Sequence, residues 1–243
     1  SFLMRVVAWS PIIAPTLGCY VTALLGWRYI FFILIGIDIV IIAGVYFLLP
    51  ESKKPDPGFS LKAGAIIKNF AGIMKHPQFY TYTLTGAIAY AGLYAYISGS
   101  PYVFMEIFQV NEKQYGWIFS VIAMGVIGSA QVNNIALRKY SSEQVIKTAT
   151  LWQSIIGIVL LVMSYFGWGE LYSTIFLIFL FLCGQGFIFP NASALSLAPF
   201  AHTAGSASAL MGAIQMGIGA GVSALVSILQ NGTRVPMAAA MAC

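Results

Sequence analysis

Apolar runs of about twenty residues recur along the chain, and a short polar loop closes each of them. A helix of roughly 20 residues crosses the hydrocarbon core of a bilayer, and in lipid a helix satisfies its own backbone hydrogen bonds. Each run therefore predicts a membrane-spanning helix, and together they predict an all-α polytopic membrane protein with seven transmembrane helices and a truncated eighth. The predicted spans are Phe2–Leu25, Tyr29–Leu49, Gln78–Ile97, Tyr115–Leu137, Val145–Phe166, Leu171–Leu195 and Ala204–Leu229, followed by a run that begins at Val235.

The composition supports this assignment. Hydrophobic residues make up 59% of the chain, charged residues only 8%, and the mean hydropathy is +0.85. A soluble domain carries about 25% charged residues, so the chain lacks the polar residues for an ordinary water-facing surface. The chain starts at Ser1 rather than at Met, and the last apolar run stops at Cys243. We therefore expect it to be part of a longer protein.

The basic residues lie in the loops and predict the orientation. The long loop Pro50–Pro77 and the loop Arg138–Lys147 fall on the same side and hold eight basic residues, against three on the opposite side. The positive-inside rule places the two basic loops in the cytoplasm. Because the net charge of +5 is explained by these loops, it does not indicate a nucleic-acid partner.

The long loop also predicts the domain organisation. It opens with a linker rich in Pro and Gly, and then Ile66, Phe70 and Ile73 recur at helical spacing among lysines. This pattern favours an amphipathic helix on the inner membrane surface, acting as a tether or as a regulatory segment. We expect residues 1–49 to end an N-terminal half, residues 50–77 to form the cytoplasmic linker, and residues 78–243 to form a C-terminal half whose last helix is truncated.

Polar residues inside the spans are the candidates for a substrate cavity. Aromatic rings with a few amides are typical of pockets for amphipathic small molecules, although each amide could instead form a hydrogen bond between helices. Tyr90 and Tyr94 lie one turn apart. The candidates are Tyr90, Tyr94, Gln131, Gln185, Asn191 and Gln215.

Asp38 is the only carboxylate deep inside a predicted span. An intramembrane acid is costly and usually functional, so Asp38 is a candidate for proton coupling. The alternative is a structural Asp that is hydrogen-bonded to a neighbouring helix or is protonated.

Two spans carry helix-packing patterns. Pro11, Pro15 and Gly18 bend the first span and leave it a flat face, and Gly212 lies in the seventh span with the pair Gly217 and Gly221. Small residues at this spacing let helices approach closely.

The sequence shows no nucleophile–base pair, and its three cysteines lie far apart without metal-ligand spacing. We therefore expect no enzyme activity, no metal site and no cofactor.

Several stretches resemble the major facilitator superfamily, and within it the Bcr/CflA-type drug:proton antiporters of bacteria. Ala8–Gly18 is similar to the antiporter signature of the fifth helix, and Trp27–Phe32 resembles the start of the sixth. The resemblance continues in Ser98–Glu106 and in Tyr115–Gly116, which resembles the start of the family's eighth helix. The most specific stretches are Gly186–Phe200 and Ala204–Gln215.

The resemblance implies that the chain covers helices five to eleven and the start of twelve of an alternating-access transporter. It implies proton-driven multidrug efflux, and thus antibiotic resistance, at the bacterial inner membrane, by a protein that is a monomer when full-length. Its partners would be lipid, a small drug and protons, and the proton-coupling acids would lie in helices one to four. Cys19 departs from the family pattern, which usually has Gly there. An exporter of a metabolite or sugar, or a membrane receptor without transport, remains the alternative.

Overall fold

A computed structural model describes residue 18, residues 21–22, residues 24–48 and residues 63–242, and every regular element among them is helical. The all-α prediction is confirmed. Pro11, Pro15, Cys19, most of the span Phe2–Leu25 and the first part of the predicted linker lie outside the described residues. Gly18 is described, and its carbonyl accepts a hydrogen bond from the Thr22 hydroxyl at 2.8 Å.

The chain divides into two units, Ser1–Lys62 and Ala63–Cys243. In the first unit, helix α1 spans Arg28–Leu48 and buries none of its side chains. Gly26, with φ +94°, turns the chain just before it. The Arg28 guanidinium lies 5.1 Å from the centre of the Trp27 ring. A helix that is apolar all around and exposed in this way is suited to lipid.

The second unit is a bundle of helices with one short π-helical segment and one 3₁₀ segment. Its elements are α2 (Ala63–Met74), α3 (Pro77–Pro101), the π segment (Tyr102–Ile107), α4 (Glu112–Ala136), α5 (Ser142–Phe166), α6 (Leu171–Cys183), α7 (Gln185–Leu197), the 3₁₀ segment (Ala198–Thr203), α8 (Ala204–Ile228) and α9 (Val235–Ala242). The predicted span Leu171–Leu195 is formed by α6 and α7, which meet at Gly184, a residue with helical backbone angles (φ −55°, ψ −32°).

Five stretches among the described helices are long and apolar enough to cross a membrane, and α3 is not one of them. Its tyrosines, threonines and glycines lower its hydropathy although it has 25 residues. The five are α1, α4, α5, the stretch Leu171–Ala201 and α8.

Local signals in the sequence determine where α4 and α5 begin. The backbone N–H of Gln114 donates a hydrogen bond to Asn111 Oδ1 at 2.9 Å. In return, the backbone N–H of Asn111 donates to Gln114 Oε1 at 3.2 Å. Ser141 and Gln144 form the same reciprocal pair at the start of α5. These capping boxes satisfy backbone donors that a helix leaves unpaired at its first turn.

Helix α3 is central and packs against α7, α8 and α9. It does so through small residues: a Cβ added to Gly86 would lie 3.3 Å from Ala192 Cβ of α7, and one added to Gly99 would lie 2.7 Å from Met237 Cγ of α9. In lipid, where burial of apolar surface does not drive helices together, such close packing is the main source of association.

The core lies where α3, α5, α6 and α9 meet, around Tyr96, Leu160, Ile178 and Met237. The outer surface is also apolar, with Ile155 of α5 53% exposed. A bundle that is apolar inside and outside is suited to a bilayer.

The helix connections gather at two ends of the unit. At one end the Gln78 amide donates to the Leu195 carbonyl at 2.9 Å, and α2 packs Ile73 beside Phe79. At the other end the Arg234 guanidinium donates to the Gly169 carbonyl and lies 5.0 Å from the Phe108 ring centre. The described basic residues of the two loops predicted to be cytoplasmic therefore lie at one end.

Candidate functional site

Three helices of the second unit bring aromatic, thioether and amide side chains to one surface. Helix α3 contributes residues spaced by four, which share one side of a helix, and α7 and α8 contribute the others. We call this surface the tyrosine–glutamine face, and it consists of Gly86, Tyr90, Tyr94, Phe189, Gln215 and Met216.

Tyr90 is held between two other rings. It stacks on Phe189 of α7 at a centroid distance of 5.1 Å and meets Tyr94 edge-on at 5.4 Å. Both tyrosines are partly exposed. Contacts of these two kinds are the preferred geometries of aromatic pairs, so the rings form an ordered aromatic surface that a ligand could reach.

Tyr94 is positioned by α8. Its ring lies against Gly219, where an added Cβ would come within 2.5 Å of Tyr94 Cδ2. Its hydroxyl donates to the Met216 sulfur at 3.0 Å. The Ser223 hydroxyl donates to the Tyr94 carbonyl at 3.4 Å. The absence of a side chain at Gly219 therefore determines where the aromatic ring lies.

Gln215 places an amide beside Gly86, one turn of α3 before Tyr90. Its side chain is 6% exposed, and its Nε2 would lie 3.6 Å from a Cβ built on Gly86. Within the described part of the chain, the Gln215 side chain has no hydrogen-bond partner, so its donor and acceptor are available to a ligand.

Two other candidate amides lie between helices. Asn191 of α7 donates to Asn133 Oδ1 of α4 at 2.7 Å and to the Phe187 carbonyl at 2.8 Å. Gln185 donates to the Ala89 carbonyl of α3, and its Oε1 is buried without a hydrogen-bond partner among the described residues. Asn191 and Gln185 each form a hydrogen bond to another helix, which was the alternative to substrate binding given for every candidate amide.

The remaining polar candidates do not join this surface. Gln131 is exposed on α4. Asp38 lies exposed in α1 of the first unit and makes no ion pair or hydrogen bond with another described residue. The roles predicted for these residues in substrate binding and proton coupling stay predictions.

The glycines predicted to pack α8 face open space. A Cβ added at Gly212, Gly217 or Gly221 would meet nothing within 4 Å. The close approach on α8 is instead at Gly219. Packing of the three open glycines against a further helix stays a prediction.

Phe189, Gly86, Met216 and Gly219 were not among the candidates. The spacing of Gly86 from Tyr90 repeats that of Tyr90 from Tyr94, which is a signal that the sequence contained. Nothing in the sequence distinguishes Gly219 from Gly217 and Gly221.

The face is suited to binding rather than to bond-making chemistry. It offers π surfaces, a thioether and an amide, but no charged group and no nucleophile paired with a base. Among the residues that the structure describes, no group of three or more His, Cys, Asp or Glu side chains could hold a metal ion.

Comparison with known proteins gives the family. The family model described as Major Facilitator Superfamily matches residues 1–224. The chain is 26% identical over 98% of its length to a bicyclomycin resistance protein homolog of Haemophilus influenzae, covering 59% of that protein. It is 28% identical over 99% of its length to an uncharacterized MFS-type transporter of Bacillus subtilis, covering 60% of it. Multidrug resistance protein D of Escherichia coli is 24% identical over 94% of the chain, which covers 56% of that relative.

These matches confirm the resemblance to the superfamily and to its Bcr/CflA-type members. The chain spans less than two thirds of the length of each of these relatives. Together with the apolar helices, they identify a multi-pass protein of the bacterial inner membrane.

Proposed function

Because this chain belongs to the Major Facilitator Superfamily, whose members are transporters rather than enzymes, we propose that it is part of a proton-driven exporter of small amphipathic drugs. The tyrosine–glutamine face is the observation that carries this proposal. Relatives that are named as resistance proteins for bicyclomycin or for several drugs support the drug class.

The chemistry of the face favours planar or cationic apolar compounds. An aromatic ring attracts a cation placed over its face by about 0.5–2 kcal/mol, and a hydrogen bond to the Gln215 amide adds about 1 kcal/mol. Several weak contacts of this kind accept different compounds, whereas one strongly directional site would select a single compound.

We propose that the two halves of the transporter share the cavity. Residues 1–49 would end the N-terminal half, residues 50–77 would link the halves, and residues 78–243 would belong to the C-terminal half. Substrate sites of such transporters lie near the bilayer midplane between repeats. Tyr90 and Gln215 lie near the middle of α3 and α8, at the depth that this proposal requires.

The test is a resistance panel with several unrelated compounds in cells that express the complete transporter. Tyr94→Ala and Gln215→Ala should each weaken resistance to some compounds by roughly tenfold, which corresponds to 1.4 kcal/mol, and leave others unchanged. Tyr90→Ala should act in the same way. Membrane levels are matched by immunoblot.

Tyr172→Ala is the matched control, because Tyr172 is 80% exposed at the start of α6, away from the face. It should keep the parental profile. If all three variants on the face also keep that profile, these residues serve packing and the cavity lies elsewhere. A complete transporter that exports a sugar or metabolite but no drug in the panel would favour the metabolite alternative.

A further inference from the structure

A concave surface lies on the side of α7 opposite the tyrosine–glutamine face. A groove of about 590 Å³ opens between the end of α4, the first half of α5 and the junction of α6 and α7. Phe187 lines this groove, whereas Phe189 belongs to the tyrosine–glutamine face. Two residues along a helix correspond to a rotation of about 200°, so the two surfaces lie on opposite sides of α7.

The groove lies beside Gly184, where α6 and α7 meet. The Trp152 indole donates to the Leu180 carbonyl at 3.2 Å, and the Gln153 amide donates to the Phe181 carbonyl at 3.4 Å. Two side chains of α5 therefore donate to backbone carbonyls in the last turn of α6, next to Gly184. Ala149, one turn before Gln153, is small, and a channel therefore remains open between α5 and α7.

The lining of the groove is amphipathic. Tyr140 and Gln144 lie at the end near the α4–α5 connection, while Ala149, Trp152, Cys183 and Phe187 line the part farther along the helices. Polar groups at one end and apolar groups along the rest match a molecule with a polar head and an apolar chain.

Three basic residues lie close in sequence to Tyr140 and Gln144 at the polar end of the groove. Arg138 and Lys139 precede Tyr140 in the connection, and Lys147 follows Gln144 by three residues, on the same side of α5. All three are exposed. Glu143, the acidic residue nearest in sequence, lies one turn before Lys147 on α5. Among the described residues no ion pair neutralises these three cations.

We propose that this groove binds an anionic phospholipid. Arg138, Lys139 and Lys147 hold the phosphate headgroup, and an acyl chain lies along Ala149, Trp152 and Phe187. Clusters of basic residues beside membrane helices attract anionic lipids. A cationic drug is disfavoured by the same charges, so the lipid is the occupant that fits both ends of the groove. The inference is independent of the proposed export function.

Trp152 provides a direct probe of this site. In the complete transporter, Trp152 is kept as the only tryptophan of this chain and every other tryptophan is replaced by Phe. The protein is reconstituted in phosphatidylcholine vesicles that contain a minor fraction of brominated lipid. Brominated phosphatidylglycerol should quench Trp152 about twofold more than brominated phosphatidylcholine, because the charged headgroup raises occupancy of the groove.

Trp117 is the matched reporter. It is 73% exposed on α4 and does not line the groove. A variant that keeps only Trp117 should be quenched equally by the two brominated lipids. Equal quenching of Trp152 by both lipids would overturn the proposal.

Two further variants, each with a matched control, test the two ends of the groove separately. The exposed triple variant R138Q/K139Q/K147Q should lose the preference for phosphatidylglycerol, and K113Q, at the other end of the bundle, should keep it. Ala149→Phe should fill the groove and reduce quenching of Trp152, whereas Leu151→Phe, at a position that is 64% exposed, should not. A preference that survives the triple variant would show that these cations do not hold the headgroup.

Discussion

At the scale of single residues, the position of Tyr94 depends on what Gly219 lacks. The tyrosine ring occupies the space of a missing side chain on α8, and its hydroxyl reaches Met216. Glycine is needed there for close approach rather than for an unusual backbone angle, because Gly219 lies inside a regular helix. The aromatic surface is thus built by a residue that touches no ligand itself.

Gly219→Ala should destabilise the protein. The new Cβ would lie 2.5 Å from Tyr94 Cδ2, and overpacking of this kind costs about 1–3 kcal/mol, of which roughly 0.5–1 kcal/mol is offset because Ala is favoured over Gly in a helix. A lower melting temperature in detergent would show this. Gly116→Ala, where a Cβ meets nothing within 4 Å, should melt at or above the parental temperature. Equal melting of both variants would contradict the close contact.

Asp38→Asn in the complete transporter should retain substantial drug resistance. Asp38 lies in a helix that resembles a peripheral one of the family, and α1 buries none of its side chains in this structure. The measurement is resistance together with drug-dependent proton movement in vesicles. Loss of proton-coupled transport with drug binding intact would instead make Asp38 the coupling acid.

At the scale of elements, helices of the second unit are joined by small residues and by buried amides. α3 meets its neighbours through glycines, and α4 meets α7 through Asn133 and Asn191. Side chains of α5 donate hydrogen bonds to backbone carbonyls at the end of α6. Close packing at glycines and hydrogen bonds between helices hold the helices together here, because burial of apolar surface does not drive association in lipid.

Asn133 and Asn191 should be energetically coupled. Hydrogen bonds between membrane helices contribute about 0.6 kcal/mol on average and at most about 1.7 kcal/mol. The variants Asn133→Ala, Asn191→Ala and the double variant should therefore give a coupling energy in that range from unfolding free energies. Asn134→Ala is the control, since Asn134 is exposed beside the buried Asn133. Additive effects of the two single variants would mean that the amides do not interact.

At the scale of the whole molecule, the two ends of the second unit differ in charge. The described basic residues near the long linker and the α4–α5 connection lie at one end, and Lys113 and Arg234 lie at the other. The positive-inside rule then predicts the cytoplasmic end.

Cysteine labelling in intact cells tests this orientation. With the native cysteines of the complete transporter replaced, Thr233→Cys should react with an impermeant maleimide added outside, since Thr233 is exposed at the less basic end. Tyr140→Cys should react only after the inner membrane is permeabilised. Ready labelling of the Tyr140→Cys variant in intact cells would reverse the predicted orientation.

Some of the site could be predicted from residue type and spacing. Tyr90, Tyr94 and Gln215 were candidates because polar and aromatic groups stand out in an apolar span. The structure pairs the two tyrosine rings and places Gln215 beside Gly86, and a role of these residues in substrate binding stays a prediction. The same reasoning selected Gln185 and Asn191, which lie between helices. An amide in a span has the same sequence signature whether it faces a ligand or a neighbouring helix.

The sequence by itself determined the all-α class and the apolar spans that form α1, α4, α5 and α8. The capping boxes at Asn111 and Ser141 begin α4 and α5 three residues before the predicted spans Tyr115–Leu137 and Val145–Phe166. These depend on local physics, namely the length needed to cross lipid and the capping of single helices. Only the tertiary structure decided which side of each span is buried and that Gly219 rather than Gly217 meets a ring. In a bilayer the lipid-facing and the buried side chains are both apolar, so hydrophobic periodicity does not mark the inside, and packing between distant parts of the chain settles it.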